Sequence, residues 1–239
     1  MPAKLLVVAT PIGNLEDITL RAIRALREAD VIAAEDTRHA SVLLRHFEIR
    51  KPLVSCHQFN EARRLGRIQE CFDAGQAVAL VTDAGMPGIS DPGERLIGHC
   101  IREGVPVEVI PGPSAVLHAL VASGLPSCPF VFEGFVPQKA GRRTRAIEAL
   151  RDRDATTVFF ESPHRIAKTL DALAAILPNR RLCIARELTK KFEECLRGTA
   201  AELAAAHAGR PWRGEITLVV DGAGREEQPG GLPEASNRG

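Results

Sequence analysis

The stretch Lys4-Leu5-Leu6-Val7-Val8-Ala9-Thr10-Pro11-Ile12-Gly13-Asn14 decides the fold. A short Leu/Val run stopped by Thr-Pro-x-Gly reads as a buried strand that ends in a tight loop. Proline withholds a ladder donor there, and glycine admits backbone conformations closed to other residues. The same grammar recurs twice downstream. The run Ala77 to Thr82 leads into Asp83-Ala84-Gly85-Met86-Pro87-Gly88-Ile89-Ser90-Asp91-Pro92-Gly93, and Val107 to Ile110 leads into Pro111-Gly112-Pro113-Ser114-Ala115.

Between these runs lie helix-period segments. Ile18, Ala22, Ile23 and Leu26 share one face, opposite Arg21, Arg24, Arg27 and Glu28, and a second helix runs from an Asn60 N-cap to a Gly75 C-cap with Leu65, Ile68 and Phe72 as its apolar stripe. Further strands are expected at Val31 to Ala34 and Leu53 to Ser55. Apolar runs alternating with amphipathic helices predict an α/β fold whose first sheet is largely parallel. Ser123 to Pro129, with two prolines and a glycine, predicts a linker. Beyond it the pattern restarts with strands at Phe130 to Phe135, Thr156 to Phe160, Arg181 to Ala185 and Glu215 to Val220, and helices from about Arg142 and from about His164 to Leu177.

The expected organisation is therefore an N-terminal α/β domain over 1–122, a linker over 123–129, and a C-terminal α/β domain over 130–222. Residues 223–239 form a tail with Leu232 as its only large apolar residue, expected to lack order.

Composition narrows the function classes. A net charge of +1 excludes a polycation, so any RNA contact must come from local patches. Charged residues interrupt every apolar run before the ~20 residues a membrane span needs. The N-terminus lacks a signal-peptide pattern, and a cytoplasmic location is expected. The six cysteines are widely spaced, with no C-x-x-C pair; they are expected to be free and mostly buried, with no metal bound. Neither the dinucleotide G-x-G-x-x-G nor the G-x-x-x-x-G-K-[ST] phosphate loop occurs, so the ligand is not expected to be a polyphosphate.

Three glycine-rich loops after strands predict a ligand cleft, since ligands bind outside the carboxyl ends of parallel strands. Tight turning alone would explain one such loop more readily than three. Asp83, just past a strand end, is expected to contact the ligand, whereas Asp91 is expected to cap the helix beginning near Pro92. Glu35-Asp36-Thr37-Arg38-His39 forms a dense polar cluster after the second strand. Glu35 reads as part of a solvated turn with internal ion pairs, while Asp36, Arg38 and His39 are candidates for substrate binding or proton handling. Phe160-Glu161-Ser162-Pro163-His164-Arg165 closes a strand with an acid, a base and a cation, and Ser162 with Pro163 suits a helix start. Arg186-Glu187-Leu188-Thr189-Lys190-Lys191 is a second polar run at a strand end, for which a solvated face is the rival explanation. Lys139-Ala140-Gly141-Arg142-Arg143-Thr144-Arg145 gathers four cations where a helix starts, opposing its dipole and suiting phosphates, with a surface helix start whose cations pair with Glu148 and Asp152 as the rival explanation.

Taken in order, Ala9-Thr10-Pro11-Ile12-Gly13-Asn14-Leu15, Glu35-Asp36-Thr37-Arg38, Asp83-Ala84-Gly85-Met86-Pro87, Pro111-Gly112-Pro113-Ser114-Ala115 and Phe160-Glu161-Ser162-Pro163-His164-Arg165 resemble the bacterial 16S ribosomal RNA 2'-O-methyltransferase I family over about residues 4 to 221. That family lies within the tetrapyrrole-methylase-like group, which includes diphthine synthase. Tetrapyrrole methylases usually open with a Gly-x-Gly-Pro-Gly-like first loop, where this chain has Thr-Pro-Ile-Gly-Asn. The resemblance implies a two-domain tetrapyrrole-methylase-like fold, usually a homodimer, that holds S-adenosylmethionine between its domains and methylates the ribose 2'-oxygen of a cytidine in 16S rRNA. Family members commonly continue into a basic C-terminal segment, where this chain has a Gly/Pro/Glu-rich stretch.

On that basis Pro11, Asp83, Ala84, Gly85, Pro87, Ser114 and Ala115 are expected to line the cofactor site. Asp36, Glu161, Glu187 and Lys190 form the pool for the group that takes the hydroxyl proton. Arg38, Arg142, Arg143 and Arg165 are the expected contacts to RNA of the 16S molecule or the small ribosomal subunit. The alternatives are a small-molecule, tetrapyrrole-type methyltransferase of the same fold and a non-catalytic cofactor- or RNA-binding module.

Overall fold

Strands buried on both faces need helices on both faces, and the first half of the chain supplies them. In the computed structural model, which describes residues 3–57 and 61–224, the strands β1 (Lys4–Val8), β2 (Val31–Ala34), β3 (Leu53–Ser55), β4 (Ala77–Val81) and β5 (Val107–Ile110) form one sheet. Their order is β3-β2-β4-β1-β5 and every neighbouring pair is parallel.

Parallel neighbours require crossovers, here α1 (Leu20–Glu28), α2 (Thr37–His46), α3 (Glu61–Asp73) and α4 (Glu94–Arg102). Side-chain alternation along β1 shows the two layers. Leu6 and Val8 pack with Ala22, Leu26 and Leu44 of α1 and α2, while Leu5 and Val7 pack with Ile68, Phe72 and Leu96 of α3 and α4. Burying each such Leu or Val contributes roughly 1.5–3 kcal/mol, so this double layer rather than helix propensity holds the sheet.

After α5 (Ala115–Ser123) comes a second sheet with the order β6-β7-β10-β8-β9, built from β6 (Phe130–Phe135), β7 (Thr156–Glu161), β8 (Arg181–Arg186), β9 (Glu194–Thr199) and β10 (Ile216–Val220). It is mixed: β6 and β7 are parallel, and the remaining pairs are antiparallel. Its helices are α6 (Ala140–Glu148), α7 (Ile166–Ile176) and α8 (Ala200–Ala206), with Phe159, Ile166, Leu173, Leu182, Ile184 and Leu218 among the core residues. The two sheets belong to two compact units. The first runs to His118 and takes in Leu188–Lys191; the second holds Ala119–Glu187 and the described chain from Phe192 onward. Ser123 ends α5, and the Gly124 to Pro129 loop that leads to β6 lies within the second unit.

The expected α/β class is observed, with the first sheet wholly parallel. Several local expectations change. The edge strand β9 was not anticipated, because Glu194-Cys195-Leu196-Arg197-Gly198-Thr199 lacks an apolar run, and its burial is only partial. Neither was α8, whose run of alanines has little periodicity but carries a Thr199/Glu202 capping box. The polar cluster after β2 opens a helix, with Asp36 as its N-cap. For α4 the N-cap position is held by Gly93, not Asp91, because the loop continues two residues further at φ 134°. Likewise α7 starts at Ile166 with Arg165 at its N-cap; Ser162 instead organises the preceding turn, its carbonyl accepting from Arg165 and Ile166. Gly75 does end α3, at φ 76°, and Gln76 N–H returns to Cys71 O. The proposed Asn60 cap and the tail from residue 225 lie outside the described residues. All six cysteines are free, but only Cys56, Cys100 and Cys183 are buried, fewer than expected.

Leu80 is fully buried in the middle strand β4, directly ahead of the glycine-rich loop. Leu80→Ala is expected to destabilise the first unit by about 3 kcal/mol through lost transfer energy and the residual cavity, read as a lower midpoint in urea unfolding.

Candidate functional site

All five strands of the first sheet run the same way, so their carboxyl ends share one edge. Along that edge the loops following β2, β4, β1 and β5 are neighbours in that order. The β1 and β4 loops are joined. Thr10 N–H donates to Gly85 O at 2.9 Å, Gly85 N–H returns to Thr10 O at 3.1 Å, and Thr10 Oγ1 donates to Thr82 O at 3.1 Å. Gly85 sits at φ 80°, which makes it the residue for this bridge. The β5 loop closes against β1 at Gly112, where a Cβ would come within 2.9 Å of the Ala9 Cβ. Ser114 and Ala115 open α5; Ser114 Oγ accepts from Leu117 N–H and its carbonyl from His118 N–H.

The residues expected to line a cofactor site therefore share this edge. Pro11, Gly85 and Pro87 are buried, and Asp83, Ala84, Ser114 and Ala115 are half-buried. No Lys or Arg occurs in residues 10–14, 82–93 or 111–115. At the start of the β4 loop, Thr82 is buried, and its Oγ1 has no hydrogen-bond partner among the described residues. Such a buried hydroxyl is costly to leave unpaired, and a ligand polar group would satisfy it.

Next to these loops, the ends of β2 and β4 hold each other through their acids. Asp36 N–H donates to Asp83 Oδ1 at 3.3 Å, and the Glu35 carboxylate accepts from the Asp83 backbone. Burial, with Asp83 close by, raises the Glu35 pKa; the Asp83 N–H and nearby His57 oppose that rise. His39 Nδ1 lies 3.9 Å from Asp83 Oδ2. Asp36 behaves oppositely. Its Oδ1 accepts from Arg38 N–H at 2.8 Å and Arg38 Nε at 3.1 Å, and its Oδ2 from Arg38 Nη2 at 2.7 Å, lowering its pKa to about 2. A carboxylate so fully engaged is a weak base, and Arg38, although exposed, is held on it.

A further segment joins this edge from far along the chain. Gly13 faces Leu188–Lys190 so closely that a Cβ on it would sit 2.5 Å from Lys190 Cγ, 2.8 Å from Thr189 Oγ1 and 2.9 Å from Leu188 O. Lys190 is thereby set against the β1 loop. Glu187, by contrast, is occupied within the second unit: its N–H donates to Glu215 O and its Oε1 accepts from Glu215 N–H at 2.9 Å.

The other expected residues lie in the second unit. Glu161 is 3% exposed, and both its oxygens are engaged. Oε1 takes Ser162 N–H at 2.7 Å and Arg165 Nη2 at 2.7 Å, while Oε2 takes the Thr169 hydroxyl at 2.6 Å. This pairing also commits Arg165, whose Nη1 reaches Val136 O. Arg142 is exposed and Arg143 half-buried on the first turn of α6, whose N-cap Lys139 makes no side-chain cap. Sequence reasoning placed Glu35 in a solvated turn, whereas it is half-buried and bound to the Asp83 backbone, and it passed over the Thr82 hydroxyl, His57 and the Gly13 contact. The position of Glu35 one residue past a strand end was the available signal for the first; nothing local signals the last.

The tetrapyrrole (corrin/porphyrin) methylase family matches residues 4–228. The chain is 50% identical to ribosomal RNA small subunit methyltransferase I of Halalkalibacterium halodurans, over 94% of this chain and 78% of that protein. It is 47% identical to the Thermotoga maritima protein of the same name, over 92% of this chain and 98% of that one. Among solved structures, uroporphyrin-III C-methyltransferase from Thermus thermophilus complexed with S-adenyl homocysteine has the same fold, at a TM-score of 0.62 and 21% identity over 91% of this chain and 97% of that one.

Because the folded pKa of Glu35 is raised, its ionisation opposes folding. Below the unfolded carboxyl pKa this cost is absent; it grows as pH rises from there through the folded value. Glu35→Gln is therefore expected to leave stability unchanged at pH 3 and to raise it at pH 8, measured by chemical denaturation at both values.

Proposed function

The chain belongs to the tetrapyrrole (corrin/porphyrin) methylase family and, within it, to the ribosomal RNA small subunit methyltransferase I group, and on that premise we propose that it methylates the ribose 2'-oxygen of a cytidine in 16S rRNA. S-adenosylmethionine, when bound, supplies an electrophilic methyl on a cationic sulfur. The observation that carries this proposal is the row of joined loops at one sheet edge, free of Lys and Arg and flanked by Glu35, Asp36 and Asp83.

Such a site suits a cation with an apolar body. Pro11, Pro87 and Ala84 offer apolar wall, the backbone at Gly85 and Gly112 allows close approach, and Asp83 and the Thr82 hydroxyl offer polar contacts. Acids nearby favour a sulfonium over a phosphate. With substrate and cofactor held in line, positioning accounts for much of the rate. Of the pool for proton removal, Asp36 is tied to Arg38, Glu161 is enclosed by Arg165 and Thr169, Glu187 is engaged with Glu215, and Lys190 stands against Gly13 of the β1 loop.

RNA is held by the cations on the first turn of α6, with Arg142 and Arg143 foremost; Arg38 and Arg165 are secondary because each already serves a carboxylate. Two copies associate as a homodimer. Leu117 and Val121, one turn apart on α5 and 53% and 77% exposed, support this as an apolar face for a partner. Among the described residues no helix is long and apolar enough to cross a membrane. A cytoplasmic location accords with a ribosomal substrate.

Incubation with radiolabelled S-adenosylmethionine and either small ribosomal subunits, naked 16S rRNA or a tetrapyrrole is expected to label the RNA at a cytidine 2'-oxygen. Label in the tetrapyrrole alone, or in none of the three, overturns the proposal. Arg142→Glu combined with Arg143→Glu is expected to weaken RNA binding and to flatten its salt dependence by a slope of about 1–2, leaving S-adenosylhomocysteine binding intact. RNA affinity unchanged across several salt concentrations would remove these residues from the interface.

A further inference from the structure

The turn that ends α2 reads Arg45-His46-Phe47-Glu48-Ile49-Arg50-Lys51-Pro52, which sets Arg45, Arg50 and Lys51 close together in the chain. It is closed as a helix C-terminus. Glu48 takes φ 56°, its N–H donates to Arg45 O at 3.1 Å, and Ile49 N–H returns to Leu44 O at 2.8 Å, the paired bonds of a Schellman stop. Leu44 and Ile49, the two residues whose apolar contact accompanies such a stop, are both buried in the core. From α1, Arg27 Nη2 donates to Phe47 O at 3.2 Å. The cations of this turn are therefore carried on backbone that the fold holds in place.

This turn and the start of β3 border an open groove of about 750 Å³. Leu44, Ile49 and Leu53 give it an apolar floor; Arg45, Arg50 and Lys51 line it, and Glu48 is the one acid among the lining residues. Arg45 and Arg50 are exposed and Lys51 is half-buried. Among the described residues none of the three enters an ion pair or a side-chain hydrogen bond. Other cations are already engaged: Arg38 by Asp36, Arg153 by Glu133, Arg165 by Glu161 and Arg181 by Asp221. On the last helical turn Arg45 complements the helix dipole, but Arg50 and Lys51 lie past the helix and have no such duty.

We propose that this groove is a second RNA-binding site, which takes the phosphodiester backbone of the substrate as the strand leaves the loop edge. This rests on the methyltransferase function proposed above. Unpaired Arg and Lys side chains match phosphate oxygens, and the apolar floor accepts ribose and base faces between them. The cations stand on two segments, the last turn of α2 and the lead into β3, which fits an extended polyanion better than one small anion. Helix α2 also connects the two places. Its N-cap Asp36 lies beside the loops, and Arg45 follows about 14 Å further along the axis at 1.5 Å per residue, with Arg38 and Arg45 both exposed two turns apart. A chain with a net charge of +1 cannot hold RNA by its overall field, so a local excess of this kind has to do so. Phosphate contacts carry no sequence information; they fix the register of the strand and leave the chemistry to the loops.

The test uses the full chain with Arg45→Ala, Arg50→Ala and Lys51→Ala combined. A control removes as many charges from other exposed positions, as Arg95→Ala, Arg102→Ala and Lys168→Ala. In the groove variant the affinity for 16S rRNA, with S-adenosylhomocysteine bound, is expected to fall about 10-fold or more near 0.1 M salt, and the log–log salt slope to shrink by about 2–3. Single-turnover methylation should keep its rate at saturating RNA and need correspondingly more RNA to reach half of it, while S-adenosylhomocysteine binding stays unchanged. The control is expected to keep the parent slope.

An unchanged slope in the groove variant overturns the proposal. So does an equal loss in the control, which would make net charge the cause, and so does weaker binding with no shift in the RNA needed for methylation, which would take the groove off the path of the substrate. Should the groove variant not fold, the parent chain still decides. Ultraviolet crosslinking to 16S rRNA followed by peptide mapping is expected to mark residues 44–53, and crosslinks confined to other segments refute the site. If the parent chain methylates no RNA, the proposed function fails, whereas affinity, salt slope and crosslinks still report on the groove.

Discussion

The hydrogen bonds exchanged by Thr10 and Gly85 are the constraint on which the site depends. In a parallel sheet the ladder stops at the strand ends, and the loops beyond it must find other partners for their backbone groups. Here the β1 and β4 loops use each other, and Thr10 adds its hydroxyl to the Thr82 carbonyl. Everything at this edge is referenced to that bridge: the Asp83 that follows Thr82, the Gly13 that follows Ile12, and through Gly13 the distant segment Leu188–Lys190. A left-handed backbone at position 85 is its precondition, which is why glycine stands there.

The acids of the site illustrate how environment separates chemically similar groups. Glu35 and Asp36 are adjacent in the chain, yet one is raised in pKa by burial beside Asp83 and the other is drawn down to about 2 by Arg38. Asp36 spends its charge on capping α2 and holding Arg38, and Glu35 with Asp83 ties β2 to β4. Glu161 is a third case, a buried carboxylate whose neighbours Arg165, Thr169 and Ser162 complete its hydrogen bonds and make it part of the framework of the second unit. Three residues with the same functional group thus have different duties, and residue type alone does not distinguish them.

Legibility followed the range of the interactions involved. Strands such as Leu5 to Ala9 or Val31 to Ala34 announce themselves because burial on both faces demands continuous apolar runs, and the observed boundaries differ by a residue or less. Edge strand β9 is half-exposed and needs no such run, so Glu194-Cys195-Leu196-Arg197 carried no signal. Helix boundaries were legible where a single local cap carried them, as at the Gly75 stop, and misleading where several cap formers competed at a start, as in Ser162-Pro163 and Asp91-Pro92-Gly93.

What the sequence by itself determined was the α/β class, the parallel first sheet and the glycine-rich strand ends, together with the family motifs that bring methyl transfer into view. Those features are written in short windows, where apolar period, proline and glycine act on their own neighbours. Tertiary structure alone decided which polar residues are spent on the framework and which come to the loops. Asp83 met the Asp36 N–H across 47 residues of chain, and Lys190 met Gly13 across more than 170. Such pairings depend on where strands are placed side by side, and no window of sequence contains both partners of the last.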